Sequence, residues 1–227
     1  MKLPFQKDGN YFPSLTFISL LFLVNDINSG GVACCMGDQK IALETIKESI
    51  LSSQLPLQET ATHLVFGKGN SEAQLLFIGE APGGEEDKQG IPFVGRAGKE
   101  LDTLLGSIGL SLDDVYIANI LKYRPPNNRD PTIEEIKAHT PFLIEQIKAI
   151  QPKVIATLGN FSTKFVLAKF QVEGMKSISG ISQLHGKAQE LSVDGFSFTA
   201  IPLYHPAAML YNPNLRETQA EDFKTIQ

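Results

Sequence analysis

Three consecutive acids, Glu85, Glu86 and Asp87, end a loop that begins Gly79-Glu80-Ala81-Pro82-Gly83-Gly84 and leads on to Ile91-Pro92-Phe93-Val94-Gly95. Acids crowded where the apolar run Leu75-Leu76-Phe77-Ile78 breaks mark a site, and a metal site is one form it takes. His205 also follows an apolar run, and Pro206 biases it towards extended geometry, from which a ring nitrogen can point into a cleft. A lone histidine is more often a core or surface group; the acids expected on the same rim tip the reading towards the cleft. Asn119 closes another apolar run, and its amide offers a donor and an acceptor to the edge of a base, or forms an Asx turn. Phe93 reads as a core plug or as a platform for a flat ligand. Lys122, Arg124 and Arg129 flank Pro125-Pro126-Asn127-Asn128, a stiff cationic loop suited to phosphate or simply to solvent.

The elements that must position these residues alternate in type. Residues 38–53 carry Ile41, Ile46 and Ile50 among charges, which predicts a helix capped by Asp38. Residues 97–108 repeat leucines at helical spacing, and residues 115–120 read as a strand. A helix starting at Pro131 and Thr132 is expected to be kinked or divided by Pro141. Residues 153–158 form a strand, 160–169 a helix and 196–203 a fourth strand. The expected fold is an α/β three-layer sandwich whose central four-stranded sheet is mainly parallel. In such sheets ligands collect at the carboxyl ends of the strands, which puts all four loops on one rim.

The chain has 227 residues and a formal charge of -5, which excludes a protein that coats nucleic acid through a broad basic surface. Its cysteines, Cys34 and Cys35, are adjacent, so they form no disulfide framework and no spaced metal set; a cytoplasmic home is expected. Residues 1–35 read as an extension to a domain at 36–227. Their apolar stretch has the length of a signal-peptide core but is short for a membrane span, and Met36 offers an alternative start.

Taken together, Gly79-Glu80-Ala81-Pro82-Gly83, Gly90-Ile91-Pro92-Phe93-Val94-Gly95, Val115-Tyr116-Ile117-Ala118-Asn119, Lys122-Tyr123-Arg124-Pro125-Pro126-Asn127-Asn128-Arg129 and His205-Pro206-Ala207 resemble family 4 uracil-DNA glycosylases. Phe66-Gly67-Lys68-Gly69-Asn70 fits the same family's lead-in to the first strand. The resemblance implies hydrolysis of the N-glycosidic bond of deoxyuridine in DNA, releasing uracil to start base-excision repair by a monomer. It implies that Glu86 holds the attacking water or stabilises the cationic sugar, and that His205 donates to uracil O2. Phe93 would stack on the flipped base and Asn119 would bond its N3–H and O4. Glu80, Ala81, Gly83 and Glu85 would shape the uracil pocket. Lys122, Arg124, Asn128 and Arg129 would contact DNA, with Met209 or Leu210 as the wedge that fills the space left by the base.

One departure is large. The family usually binds a 4Fe-4S cluster through four cysteines, and the corresponding positions here are Ser52, Leu55, Tyr123 and His139. A cluster needs thiolates, so the chain is expected to carry no cofactor, with Leu55 and Tyr123 replacing the staple by packing. An alternative follows: a degenerate member that binds DNA or a uracil-like ligand without turnover. A related group that captures uracil-DNA covalently fits less well, because the loop after the second strand lacks its Arg/His-rich insertion.

Overall fold

The computed structural model describes residues 37–227. The expected signal-like stretch and both cysteines lie outside the described residues. In chain order the elements are α1 (Asp38–Ser52), β1 (Lys68–Gly69), β2 (Leu75–Gly79), α2 (Gly84–Gln89), α3 (Arg96–Ser107), β3 (Val115–Asn119), α4 (Ile133–Ile150), β4 (Val154–Leu158) and α5 (Asn160–Leu167). There follow α6 (Ile181–Leu184), β5 (Gln189–Val193), β6 (Phe196–Leu203), α7 (Ala208–Tyr211) and α8 (Leu215–Lys224).

Strand order in the sheet is β1-β3-β2-β4-β6-β5, and the four inner strands are parallel. These are the four expected from their apolar runs. Two antiparallel edge strands complete a six-stranded sheet. The period-2 alternation of a strand assigns neighbouring residues to opposite faces. Leu76, Ile78, Ala118 and Ile155 face a core built with Ile46 and Ile50 of α1 and with Leu143 and Ile147 of α4. Phe77, Ile117, Ala156 and Ile201 face a second core with Leu101 and Leu105 of α3 and Phe223 of α8. Both faces are thus covered by helices, which is the three-layer sandwich.

Several local expectations change. Ile41 is 62% exposed and Leu43 takes the buried place instead; Gly37, not Asp38, holds the N-cap of α1. Helix α4 starts with a capping box between Thr132 and Glu135 and runs undivided past Pro141. Pro141 is exposed, while Ile136 before it and Leu143, Ile147 and Ile150 after it share one buried face, so continuous burial outweighs one missing backbone bond. The β5–β6 hairpin turns at Asp194 (φ 51) and Gly195 (φ 81), a two-residue turn with both central residues left-handed.

Connectivity places a switch in direction at β2: the chain moves to β3 on one side and then crosses to β4 on the other. The crevice beyond the carboxyl ends of these strands is where such sheets take ligands.

Candidate active site

The three acids divide their work. Glu85 is exposed and pairs with Lys88 at 2.8 Å. Asp87 is buried and turns away from the rim, accepting from the N–H and hydroxyl of Thr62, each at 2.8 Å. Glu86 alone faces the crevice, where its Oε1 accepts from the backbone N–H groups of Val94 (3.1 Å) and Gly95 (2.9 Å). These bonds fix the carboxylate and shape the loop that carries Phe93.

Phe93 is 6% exposed and held at φ 52, a left-handed conformation costly for an aromatic residue. The Lys68 ammonium donates to its carbonyl at 3.0 Å. The peptide between Phe93 and Val94 is therefore gripped from both sides by opposite charges. The Phe93 ring lies near His205, centroids 5.8 Å apart and planes inclined by 30°.

Asn119 ends β3, 2% exposed, and its Oδ1 has no hydrogen-bond partner. A buried polar atom left unpaired costs about 1–3 kcal/mol, so such an atom beside a cavity marks a place for a ligand donor. Gly79 makes the room, because a side chain there would collide with Asn119 Oδ1 and press on the Phe93 ring.

His205 follows β6, and its Nδ1 accepts from the Ala207 N–H at 3.1 Å. The neutral ring then carries its proton on Nε2 as a free donor. Burial lowers its pKa, opposed by the charge of Glu86, so the neutral imidazole is favoured. Gln219 of α8 donates to the His205 carbonyl at 3.2 Å and braces the loop from outside.

Ala81, Gly83, Glu86, Phe93, Ala97, Asn119 and His205 enclose a cavity of about 150 Å³. Its size matches one small planar ring, to which the lining offers a stacking face, an unpaired acceptor and a neutral donor. Residues from the exits of β2, β3 and β6, expected on one rim, meet here. Ala97 and Gln219 complete the site without a signal in the sequence, and Lys68 joins them from the lead-in at 66–70, where the resemblance implies no role for it; each reaches the site through tertiary packing.

Other expected residues lie elsewhere. Glu80 is not among the lining residues; its carboxyl is half-buried, with its pKa raised by desolvation and then by Asp130. Lys122 does not face DNA: it is fully buried, and its ammonium donates to Asn119 O (2.8 Å) and Gln146 Oε1 (2.5 Å). Arg129 remains at the surface but is held in a two-pronged pair with Glu135, which keeps that carboxyl down at about 2. Arg124 is half-exposed beside Gly84 and donates to Asn128 Oδ1 at 2.8 Å. Met209 is 2% exposed and belongs to the second core, so it is no wedge. Leu210 is half-buried, and the neighbouring Tyr211 is 81% exposed.

The four positions that would hold a cluster do not fit one. Ser52 Oγ donates to the carbonyls of Glu48 and Ser49, and Leu55 packs against the first core. Tyr123 is 3% exposed and meets His139 edge-on, centroids 6.1 Å apart. His139 is fully buried with both ring nitrogens engaged: Nδ1 accepts from the Lys122 N–H at 3.0 Å and Nε2 donates to Pro56 O at 3.1 Å. None of these four positions is a thiol, and the imidazole has no free lone pair for a metal. Among the described residues no His, Cys, Asp and Glu group could hold a metal ion.

Fold and site together define an α/β protein with a small cavity, lined by aromatic and polar groups, at the carboxyl ends of its parallel strands. The family model of the Uracil DNA glycosylase superfamily matches residues 66–226, and the chain belongs to that superfamily and, within it, to the type-4 family. It is 46% identical over 183 residues to a type-4 uracil-DNA glycosylase of Archaeoglobus fulgidus, covering 81% of this chain and 90% of that one. A type-4 enzyme of Sulfurisphaera tokodaii is 46% identical over 188 residues, 82% of this chain and 84% of its own. One from Thermotoga maritima is 40% identical over 186 residues, 80% of this chain and 91% of its own.

Proposed function

We propose that this chain is a uracil-DNA glycosylase that hydrolyses the C1'–N1 bond of deoxyuridine in DNA. The observation that carries the reading is the unpaired, buried Oδ1 of Asn119 at a ring-sized cavity. Uracil presents N3–H to that acceptor and O4 to the amide NH₂. Phe93 stacks on the ring, which reaches the pocket only after flipping out of the duplex.

Cleavage builds positive charge on the sugar and negative charge on the departing base. The free Nε2–H of the neutral His205 ring donates to O2 as that charge grows. Glu86, with Oε1 tied to two backbone N–H groups, directs its remaining oxygen to the attacking water or to the cationic sugar. Arg124 and Asn128 meet the phosphates beside the lesion, and Leu210 with Tyr211 fills the space the base leaves.

We further read the enzyme as working without an iron–sulfur cluster. The support is the donor set itself: hydroxyl, hydrocarbon, phenol and a doubly bonded imidazole. Uracil release from single- and double-stranded oligonucleotides, compared among wild type, Glu86→Ala and His205→Ala, tests the activity. Loss of release in both variants is expected; no abasic product from wild type, with uracil-specific binding retained, would make the chain a binding module instead.

A further inference from the structure

Lys122 is the one cation of the Pro125-Pro126 loop region that never reaches solvent. Taking an ammonium out of water costs several kcal/mol unless it is well paired, and the pairing here is specific. Its Nζ donates to the carbonyl of Asn119 at 2.8 Å and to Gln146 Oε1 at 2.5 Å. Gln146, in α4, is fully buried too and is itself fixed by donating to Phe66 O at 3.1 Å. The backbone of Lys122 is equally committed, since its N–H goes to His139 Nδ1 and its carbonyl receives the Val65 N–H at 2.9 Å.

The consequence falls on Asn119. Its carbonyl is the last of β3, just before the chain makes its final bonds to the β2 exit, Ile120 N–H to Gly79 O and Leu121 N–H to Glu80 O, each at 3.0 Å, and its side chain carries the unpaired acceptor of the pocket. No hydrogen bond to Oδ1 holds the amide, so its orientation comes from the backbone that carries it and from its packing against Gly79. We propose that Lys122 is a positioning residue: its buried ammonium, anchored on Gln146, locks the Asn119 backbone so that the side-chain amide is aimed at the base before substrate arrives. This inference rests on Asn119 reading the base edge. Burial lowers the Lys122 pKa to about 7, and as ammonium or as amine its Nζ has the hydrogens to donate to both acceptors. An error of about 1 Å in a recognition group is worth about 100-fold in rate, which sets the scale of the effect.

The test uses the full chain with Lys122→Met and Lys122→Gln, folding being followed by circular dichroism. In the first arm, the side-chain amide resonances of Asn119 are recorded by ¹⁵N NMR without DNA. One sharp pair is expected for wild type, displaced or broadened in both variants; unchanged resonances overturn the proposal. In the second arm, single-turnover uracil release is measured in a double-mutant cycle with Asn119→Ala. A loss of about 10- to 100-fold is expected in the Asn119 background and less than about 3-fold in the Asn119→Ala background. Additive losses, or no loss, overturn it. Failure of both variants to fold would make Lys122 a fold-forming group and overturn it as well. The absence of wild-type release would count against the enzyme reading alone, because the NMR arm still decides the role of Lys122.

Discussion

His205 and His139 are two halves of one comparison. In each, Nδ1 accepts a backbone N–H, and burial is the leading cause that lowers the pKa. They differ at Nε2. That of His139 is closed on Pro56 O, tying the segment after α1 to the loop after β3. That of His205 is open to the cavity. One imidazole with every valence used is a staple; the same group with one valence left over is a reagent. The same contrast separates the regions around them, for the rim also keeps an unpaired amide oxygen and a strained Phe93, while the brace, apart from the buried Tyr123 hydroxyl, is hydrocarbon and closed hydrogen bonds.

The comparison breaks most sharply through activity. Glu86→Ala and His205→Ala are expected to lower single-turnover uracil release by about 100- to 10,000-fold, His205→Ala with little change in melting temperature and Glu86→Ala with a loss of about 1–3 kcal/mol from the loop N–H groups it leaves unpaired. Asn119→Ala follows at about 100-fold, since base recognition is lost while the strand remains. His139→Ala should invert the pattern: thermal denaturation shows a loss of about 2–4 kcal/mol, from two broken hydrogen bonds and a cavity, while release per folded molecule changes less than about tenfold.

The pH dependence of stability sharpens the same point. The folded pKa of His139 is depressed to about 4 from 6.5, chiefly by burial. The unfolded chain therefore takes up a proton that the folded chain refuses between those values. Stability from this group is complete above pH 6.5 and is lost as pH falls towards 4. Urea midpoints should drop across that window in wild type and drop less in His139→Phe. Smallest is Tyr123→Phe: its hydroxyl is buried without a partner, so removal should leave stability unchanged or raise it by up to about 1 kcal/mol.

Much of this was legible in residue types. The four parallel strands are short apolar runs ended by Gly, Asn or His, and chemistry-bearing residues at such exits must share a rim, which brought Glu86, Phe93, Asn119 and His205 together. The strand β5 was less visible because Gln189–Val193 is mostly polar and half-exposed, although Asp194-Gly195 is a strong hairpin signal. Lys122 misled because a lysine beside arginines and prolines reads as solvated; only the packing of α4 against β3 shows that it points inward. Met209 misled similarly, since position in the loop after Pro206 says nothing of which side chain meets the core. The closed state of His139 depends on Pro56, 83 residues away, and no local pattern carries it.

The central claim is that an open pocket works beside a closed, cluster-free brace. Its most direct test is uracil release by purified wild-type protein whose iron content is measured on the same sample. The account predicts abasic product in stoichiometric yield from iron-free protein; no product, or product only from an iron-bearing fraction, would contradict it.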